Sequence, residues 1–242
     1  MDWNLLRRQR RDDKEATASP SGESQGLGAS RPVGLKSSRP ATIDPVQELL
    51  YQALETEIGG ARIYETALRC AFNADLTKEW KKYLDQTRHH EEILRNVFDI
   101  WDLDTDAETP GRLVVRHNGQ ALVGAMQKAL ATMPRNEAQL VAAECVVLAE
   151  TKDHMNWELF GELCGSIPGK RGKSLKDAHE EVEEEEDEHL YHTTGWTREL
   201  WLAFLGRPAV LPPPEEVKDV KTAIGAARAK HGRTSMAPRK RA

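Results

Sequence analysis

The segment from His179 to Leu200 constrains the fold most, because it combines helical periodicity with an extreme acid content. Eight of the nine residues from Glu180 to Glu188 are acidic. Even so, a series of mostly apolar residues recurs at intervals of four and three positions, which is the spacing of a single face of an α-helix. We call this series the seam of the helix. The members of this seam are Val182, Glu186, His189, Thr193, Trp196 and Leu200. The pattern predicts a helix that turns a carboxylate and an imidazole toward its apolar side.

The pair Glu186 and His189 forms a Glu-x-x-His motif on this predicted helix. Residues three apart share a helical face, so the two side chains can bind one metal ion together. The alternative is coincidence, since a run this acidic will often place a glutamate three residues before a histidine.

Three further segments repeat apolar residues at helical spacing, and strand patterns are nearly absent. Residues that favour helix N-caps precede each segment. We predict four long helices, over 45–71, 75–100, 136–164 and 174–205, with Asp44, Asp75, Asn136 and Ser174 as the N-caps. The connection over 102–135 is predicted to hold an extended piece at 113–115 and a short helix at 120–131, and a final short helix is predicted over 215–230.

These elements predict an all-α fold, a four-helix bundle with a long crossover between the second and third helices. Residues 1–41 are rich in Ser, Gly, Arg and Pro and are predicted to be disordered. The bundle is predicted to occupy 42–206. Residues 207–242 are interpreted as a proline-rich linker, a short helix and a basic tail.

Composition excludes several classes of protein. No apolar run approaches the roughly 20 residues that span a bilayer, and residues 1–15 contain no apolar core of a signal peptide. Three cysteines are an odd number without pair spacing, which favours reduced thiols. We therefore expect a cytoplasmic protein with no membrane partner.

The net charge of −5 conceals two basic ends. Five Arg or Lys residues lie between positions 7 and 14, and six lie between 228 and 241. Such ends can bind nucleic acid, although solvated tails are the more common case.

Polar residues recur on the predicted inner faces of all four helices. On the first and third helices a glutamate precedes an aromatic residue by seven positions, as Glu57 precedes Tyr64 and Glu150 precedes Trp157. His90 lies on the second seam and His154 on the third. Unpaired buried carboxylates are costly, and a divalent cation is the simplest compensation because Glu and His are its usual ligands. The alternatives are that the charged faces turn to solvent, or that the carboxylates are protonated or paired with histidine.

Together these residues resemble the ferritin-like di-iron carboxylate proteins, whose members include rubrerythrin, bacterioferritin and manganese catalase. The resemblance covers about residues 45–205. It implies Glu57 and Glu150 as single carboxylates and Glu186 with His189 as one Glu-x-x-His. It also implies two iron ions per chain, or manganese, reacting with dioxygen or peroxide in an oxidase, peroxidase or ferroxidase reaction. Tyr64 is then the expected catalytic tyrosine, and a homodimer or other homo-oligomer is expected.

The second helix departs from the family pattern. The family has a glutamate three residues before its histidine, whereas this chain has Thr87 before His90 and Gln86 before His89. His154 could supply a compensating ligand. The departure leaves three alternatives for the site: a depleted di-metal centre, one metal with a weak second position, or a vestigial site. Two other hypotheses also stay open, a non-catalytic bundle that binds a partner or nucleic acid, and an iron-storage cage.

Overall fold

The computed structural model describes residues 43–237, and the predicted all-α class is confirmed for that range. Within it there are seven helices and no strand: α1 Pro45–Cys70, α2 Ala74–Trp101, α3 Pro110–Thr132, α4 Arg135–Cys164, α5 Gly169–Phe204, α6 Pro214–Val217 and α7 Ala223–Met236. Of these, no helix combines the length and apolar character needed to cross a membrane. The segment predicted to be disordered, 1–41, lies outside the described residues.

The first two helices begin at side-chain caps. The Asp44 carboxylate accepts from the backbone amides of Val46 and Gln47 at 2.9 and 3.2 Å, as the sequence predicts. The cap of α2 is Asn73, whose side chain accepts from two amides of the first turn, so the prediction of Asp75 is wrong. Asp75 instead lies in the first turn, where its charge interacts favourably with the helix dipole.

The predicted caps of the next two long helices are also wrong. The helices α4 and α5 begin directly after Pro134 and Pro168, and neither start has a side-chain cap. Asn136 and Ser174 therefore lie inside the helices. The Ser174 hydroxyl donates to the Arg171 carbonyl one turn earlier at 2.9 Å, which is a common use of serine within a helix.

The connection between α2 and α4 is more helical than predicted. Residues 113–115, predicted to be extended, lie within the 23-residue helix α3. The Thr109 side chain caps this helix and Pro110 occupies its first position, an arrangement that favours helix initiation. Tertiary contacts hold α3 in place, since the buried guanidinium of Arg112 donates to Glu55 at 2.8 Å. These contacts outweigh the weak strand preference of the valines.

The helices α1, α2, α4 and α5 each pack against two others of the four: α1 lies against α2 and α4, and α5 lies against α2 and α4. The connections within the pairs α1–α2 and α4–α5 are short, as expected between antiparallel neighbours. The helix α3 packs on α1 and α4.

Two apolar clusters separate along these four helices and leave a polar layer between them. One cluster contains Tyr64, Trp80 and Trp196, and the other contains Leu54, Phe98, Trp157 and Phe160. On every one of the four helices the change from one cluster to the other occurs where the sequence places buried Glu or His. The intervening buried residues include Glu57 on α1, Thr87 and His90 on α2, Glu150 and Asp153 on α4, and Glu186, His189 and His192 on α5.

The C-terminal segment follows α5 back along the bundle. The single helix predicted over 215–230 is instead two helices, α6 and α7, separated by a turn at residues 218–222. The guanidinium of Arg198 donates to both carboxylate oxygens of Glu215 at 2.8 Å. Arg233, which the sequence suggests as part of a basic tail, donates to the buried Glu199 at 2.5 Å. This arginine therefore anchors α7 to α5.

Candidate metal centre

The polar layer brings five of the predicted site residues together. Glu57, His90 and Glu186 form one group, and Glu150, Glu186 and His189 form a second. In each group the candidate ligand atoms lie within 4.8 Å of one another. Glu186 belongs to both groups, so it lies where one carboxylate can bridge two ions.

Both histidines turn the same ring atom toward the centre. The Nδ1 atom of His90 lies 3.8 Å from Glu57 Oε1, and the Nδ1 atom of His189 lies 3.5 Å from both Glu150 and Glu186. The outer Nε2 atoms pair with Glu185 Oε2 at 2.9 Å for His90 and with the side-chain oxygen of Gln86 at 3.1 Å for His189.

Acceptors on the outer nitrogens favour the tautomer that carries its proton at Nε2. The lone pair of Nδ1 then points into the centre. Metal-binding histidines have this arrangement, in which the second ring nitrogen donates to a carboxylate or carbonyl oxygen.

The centre contains buried polar atoms that have no hydrogen-bond partner among the described residues. A buried polar group without a partner costs free energy, and several carboxylate oxygens in one place cost more. A divalent cation would satisfy these oxygen and nitrogen donors together, so the residues present fit a metal. The atoms concerned are Glu57 Oε2, His90 Nδ1, Glu150 Oε2, Asp153 Oδ1, both carboxylate oxygens of Glu186, and His189 Nδ1.

Protons compensate for the charge in the metal-free centre. Burial, reinforced by the carboxylates of Asp153 and Glu186, raises the pKa of Glu57 well above its usual range. Burial opposes ionisation of Glu186 as well, but His189 and His90 hold its pKa at about 2. His189 also resists charging through burial, yet Glu150 and Glu186 raise its pKa to about 10. The alternative that carboxylates pair with histidine therefore describes the metal-free state.

Asp153 is a buried acid that sequence reasoning missed. It lies on α4 one turn after Glu150 and is only 4% exposed. Burial and the charges of Glu186 and Glu150 raise its pKa well above the usual range. Its spacing of three from Glu150 is the signal that the sequence offers, although the predicted ligand was His154 at the neighbouring position.

His154 lies outside both groups of candidate ligands. Its Nε2 atom lies 2.8 Å from Asp187 Oδ1, and its ring packs edge-on against Tyr191. The helical phase turns His154 about 100° away from Asp153, so only one of these two neighbours can face the interior.

The His154–Asp187 pair borders a cavity of about 190 Å³ between α4 and α5. Glu186 and Trp157 line the cavity, together with Thr222 and Ala223 at the start of α7. Because Glu186 belongs to both ligand groups, this cavity borders a residue of the centre.

Thr87 lies where the resemblance would place a carboxylate. It is buried, and a β-carbon added at Gly60 would lie 3.2 Å from its methyl group. The helices α1 and α2 thus approach closely at this point, which leaves less room for a longer side chain. Gln86, which precedes His89 where the family pattern would have a glutamate, pairs with the outer nitrogen of His189.

Two tyrosines lie beside the centre. The Tyr64 hydroxyl is buried without a hydrogen-bond partner among the described residues, and burial together with the charge of Glu150 raises its pKa well above the usual range. The ring of Tyr83 lies closer to His189, with centroids 4.2 Å apart, and its hydroxyl contacts Glu79 and His192. Sequence reasoning missed this second polar cluster, although His192 follows His189 by one helical turn.

Comparison with protein-family models, with curated proteins and with solved structures finds no match for this chain. The function of the chain is therefore inferred from the geometry of the centre.

Proposed function

We propose that this chain is a ferritin-like four-helix bundle whose buried centre binds two iron or manganese ions and reacts with dioxygen or peroxide. The observation that carries the proposal is the arrangement of the two histidines around Glu186. Each imidazole directs Nδ1 inward and has an acceptor on Nε2, and both inner nitrogens face the same carboxylate.

Five predicted ligands would divide between two ions. Glu57 and His90 would bind one ion, Glu150 and His189 the other, and Glu186 would bridge them. This division follows the two groups that share Glu186.

Asp153 would supply a fourth carboxylate. The family scheme uses four carboxylates and two histidines, and Thr87 removes one carboxylate from α2. Asp153 lies outside both groups of candidate ligands, as His154 does, but it is buried and the charges of Glu186 and Glu150 act on it. With Asp153 included, four buried acids and two histidines would lie in or beside the centre. Its burial and its unpartnered Oδ1 atom support this role.

The donor set supports iron or manganese. Carboxylate oxygens outnumber imidazoles, and such sites favour these metals over copper.

When bound, the metal pair supplies Lewis acidity and the electrons that reduce dioxygen or peroxide. The chain contributes a dry, shaped site. The cavity of about 190 Å³ would admit small polar molecules to Glu186. The Tyr64 hydroxyl has no hydrogen-bond partner among the described residues and keeps its proton because burial and the charge of Glu150 raise its pKa, so it could donate a hydrogen bond to a small bound molecule. These features favour a small oxidant over a bulky substrate.

The decisive measurement is the metal content per chain, by elemental mass spectrometry, on untagged protein purified without chelator. We expect about two iron or manganese ions per chain, followed by peroxide consumption above that of the chelated protein. One ion per chain would mean that the loss of a carboxylate at Thr87 has removed the second site. No ion, even after reconstitution with ferrous iron, would overturn the proposal and favour a non-catalytic bundle.

A further inference from the structure

A second cavity, separate from the metal centre, lies between α1, α3 and α4. Its volume is about 380 Å³, within the range of small-molecule sites. Apolar side chains dominate its walls, including Ile63 from α1, Leu122 from α3, and Leu148 and Ala149 from α4.

This cavity, called the groove below, exposes apolar surface. Leu148 at its wall is 61% exposed, although it belongs to a helix that packs on three others. Covering apolar surface is favourable by roughly 25 cal/mol per Å². A molecule with an apolar body would therefore gain free energy by filling this groove.

One cation in the groove lacks an acidic partner. Lys152 is half-buried, and its ammonium group donates to the neutral side-chain oxygen of Asn156. No carboxylate lies within 4 Å of its nitrogen among residues 43–237.

The acid at the other end of the groove is already neutralised. The Glu55 carboxylate accepts from Arg112 and Arg116, each at 2.8 Å. The charge available to a ligand in the groove is therefore the single positive charge of Lys152.

We propose that this groove binds an amphipathic organic acid, one carboxylate attached to an aliphatic or aromatic body about as long as a medium-chain fatty acid. The carboxylate would pair with the Lys152 ammonium, and the body would cover Ile63, Leu122 and Leu148. The inference does not rest on the metal centre, because none of the groove residues belongs to the proposed ligand set.

Isothermal titration calorimetry with octanoate, on the full chain, tests the proposal. Octan-1-ol and octylamine are matched probes that keep the tail and change only the head group. We expect octanoate to bind at least tenfold more tightly than octan-1-ol, and octylamine to show no measurable binding. Absence of octanoate binding, or equal affinity for the acid and the alcohol, would overturn the proposal.

Two variants test separately the charge of Lys152 and the space in the groove. Lys152→Met keeps an apolar stem and should abolish the preference for octanoate over octan-1-ol. Ala121→Trp places a large ring at an exposed position that lines the groove and should abolish binding of both probes. Ala125→Trp is the control, because Ala125 is also exposed and lies one turn later on α3. Octanoate binding that survives both Lys152→Met and Ala121→Trp would place the ligand elsewhere and refute the assignment.

Discussion

The Nδ1 atom of His90 lies 2.9 Å from the Oε1 atom of Glu186, and neither atom has a partner with hydrogen-bond geometry among residues 43–237. The two residues come from neighbouring helices, α2 and α5, and both are 1% exposed. Two candidate ligand atoms this close and this buried could bind one ion together with Glu57. That relationship is what the predictions for the centre depend on.

Replacing Glu186 with glutamine should remove both metal ions. Glutamine keeps the shape but removes the negative charge that both groups share. The metal-free variant should also be less stable, by about 3–5 kcal/mol, because breaking a buried ion pair leaves its partner uncompensated. Metal analysis and thermal unfolding in chelator measure the two effects. Glu184→Gln, on the exposed side of the same helix, should change neither, and full metal content in Glu186→Gln would contradict the assignment.

Asp153→Asn tests the fourth carboxylate. We expect the metal content to fall from two ions per chain to one, because the variant loses a charged ligand. The metal-free protein should become more stable at neutral pH, since a carboxylate whose pKa is raised by burial and neighbouring acids destabilises the fold when it ionises. Exposed Asp177, changed to asparagine, is the matched control. Two ions retained in Asp153→Asn would exclude Asp153 as a ligand.

His154→Ala distinguishes the sequence prediction from the structure. If His154 borders the cavity between α4 and α5 and is not a ligand, the variant should still bind two ions. Loading with ferrous iron should become faster, by about twofold or more, because the pair that His154 forms with Asp187 narrows the cavity. Stopped-flow loading followed by metal analysis gives both values, with His89→Ala as an exposed control. If His154→Ala binds only one ion per chain, His154 is a metal ligand, as the sequence predicted.

Tyr64→Phe tests the predicted catalytic tyrosine. Metal content should be unchanged, and peroxide consumption should fall by about tenfold, equivalent to ~1.4 kcal/mol in the barrier. Stability should not decrease, because the removed hydroxyl is buried without a partner. Tyr51→Phe, a buried tyrosine in an apolar cluster, controls for general packing. Wild-type turnover in Tyr64→Phe would leave packing as the role of this residue.

Glu216 makes the stability of the metal-free protein depend on pH. Burial, followed by the charge of Glu79, raises its pKa from 4.5 to about 7, although Trp196 donates to it and His192 favours its ionised form. The nearby acids are Glu79 and Asp75 on α2. The folded state therefore holds a proton that the unfolded state has lost between pH 4.5 and 7. This contribution to stability is complete below pH 4.5 and is lost as the pH rises through 7.

The corresponding measurement is the melting temperature at pH 5 and pH 8 in chelator. The wild-type value minus the Glu216→Gln value should decrease from pH 5 to pH 8. An exposed glutamate on α4, Glu162, provides the control when changed to glutamine. A difference that is constant across this range would refute the assignment of the titration to Glu216.

The sequence predicted the four long helices and the polar residues on their inner faces. Both depend on local information, because helical periodicity repeats every 3.6 residues along the chain. The spacing from Glu57 to Tyr64 and from Glu186 to His189 therefore specified which residues face inward. Three statements made from the sequence alone stay predictions: self-association of the chain, binding of nucleic acid, and dioxygen or peroxide as the oxidant.

Other features depend on which side chains meet across helices, and these only the tertiary structure decided. Glu185 is one of eight acids between Glu180 and Glu188, and the sequence gives no reason to single it out. The packing of α5 against α2 brings it to the outer nitrogen of His90. Gln86 holds His189 for the same reason. Residues 113–115, predicted to be extended, lie in the helix α3, which the pair between Arg112 and Glu55 holds against α1. Local periodicity determines the face a residue occupies, whereas its partner is fixed only when helices far apart in sequence pack together.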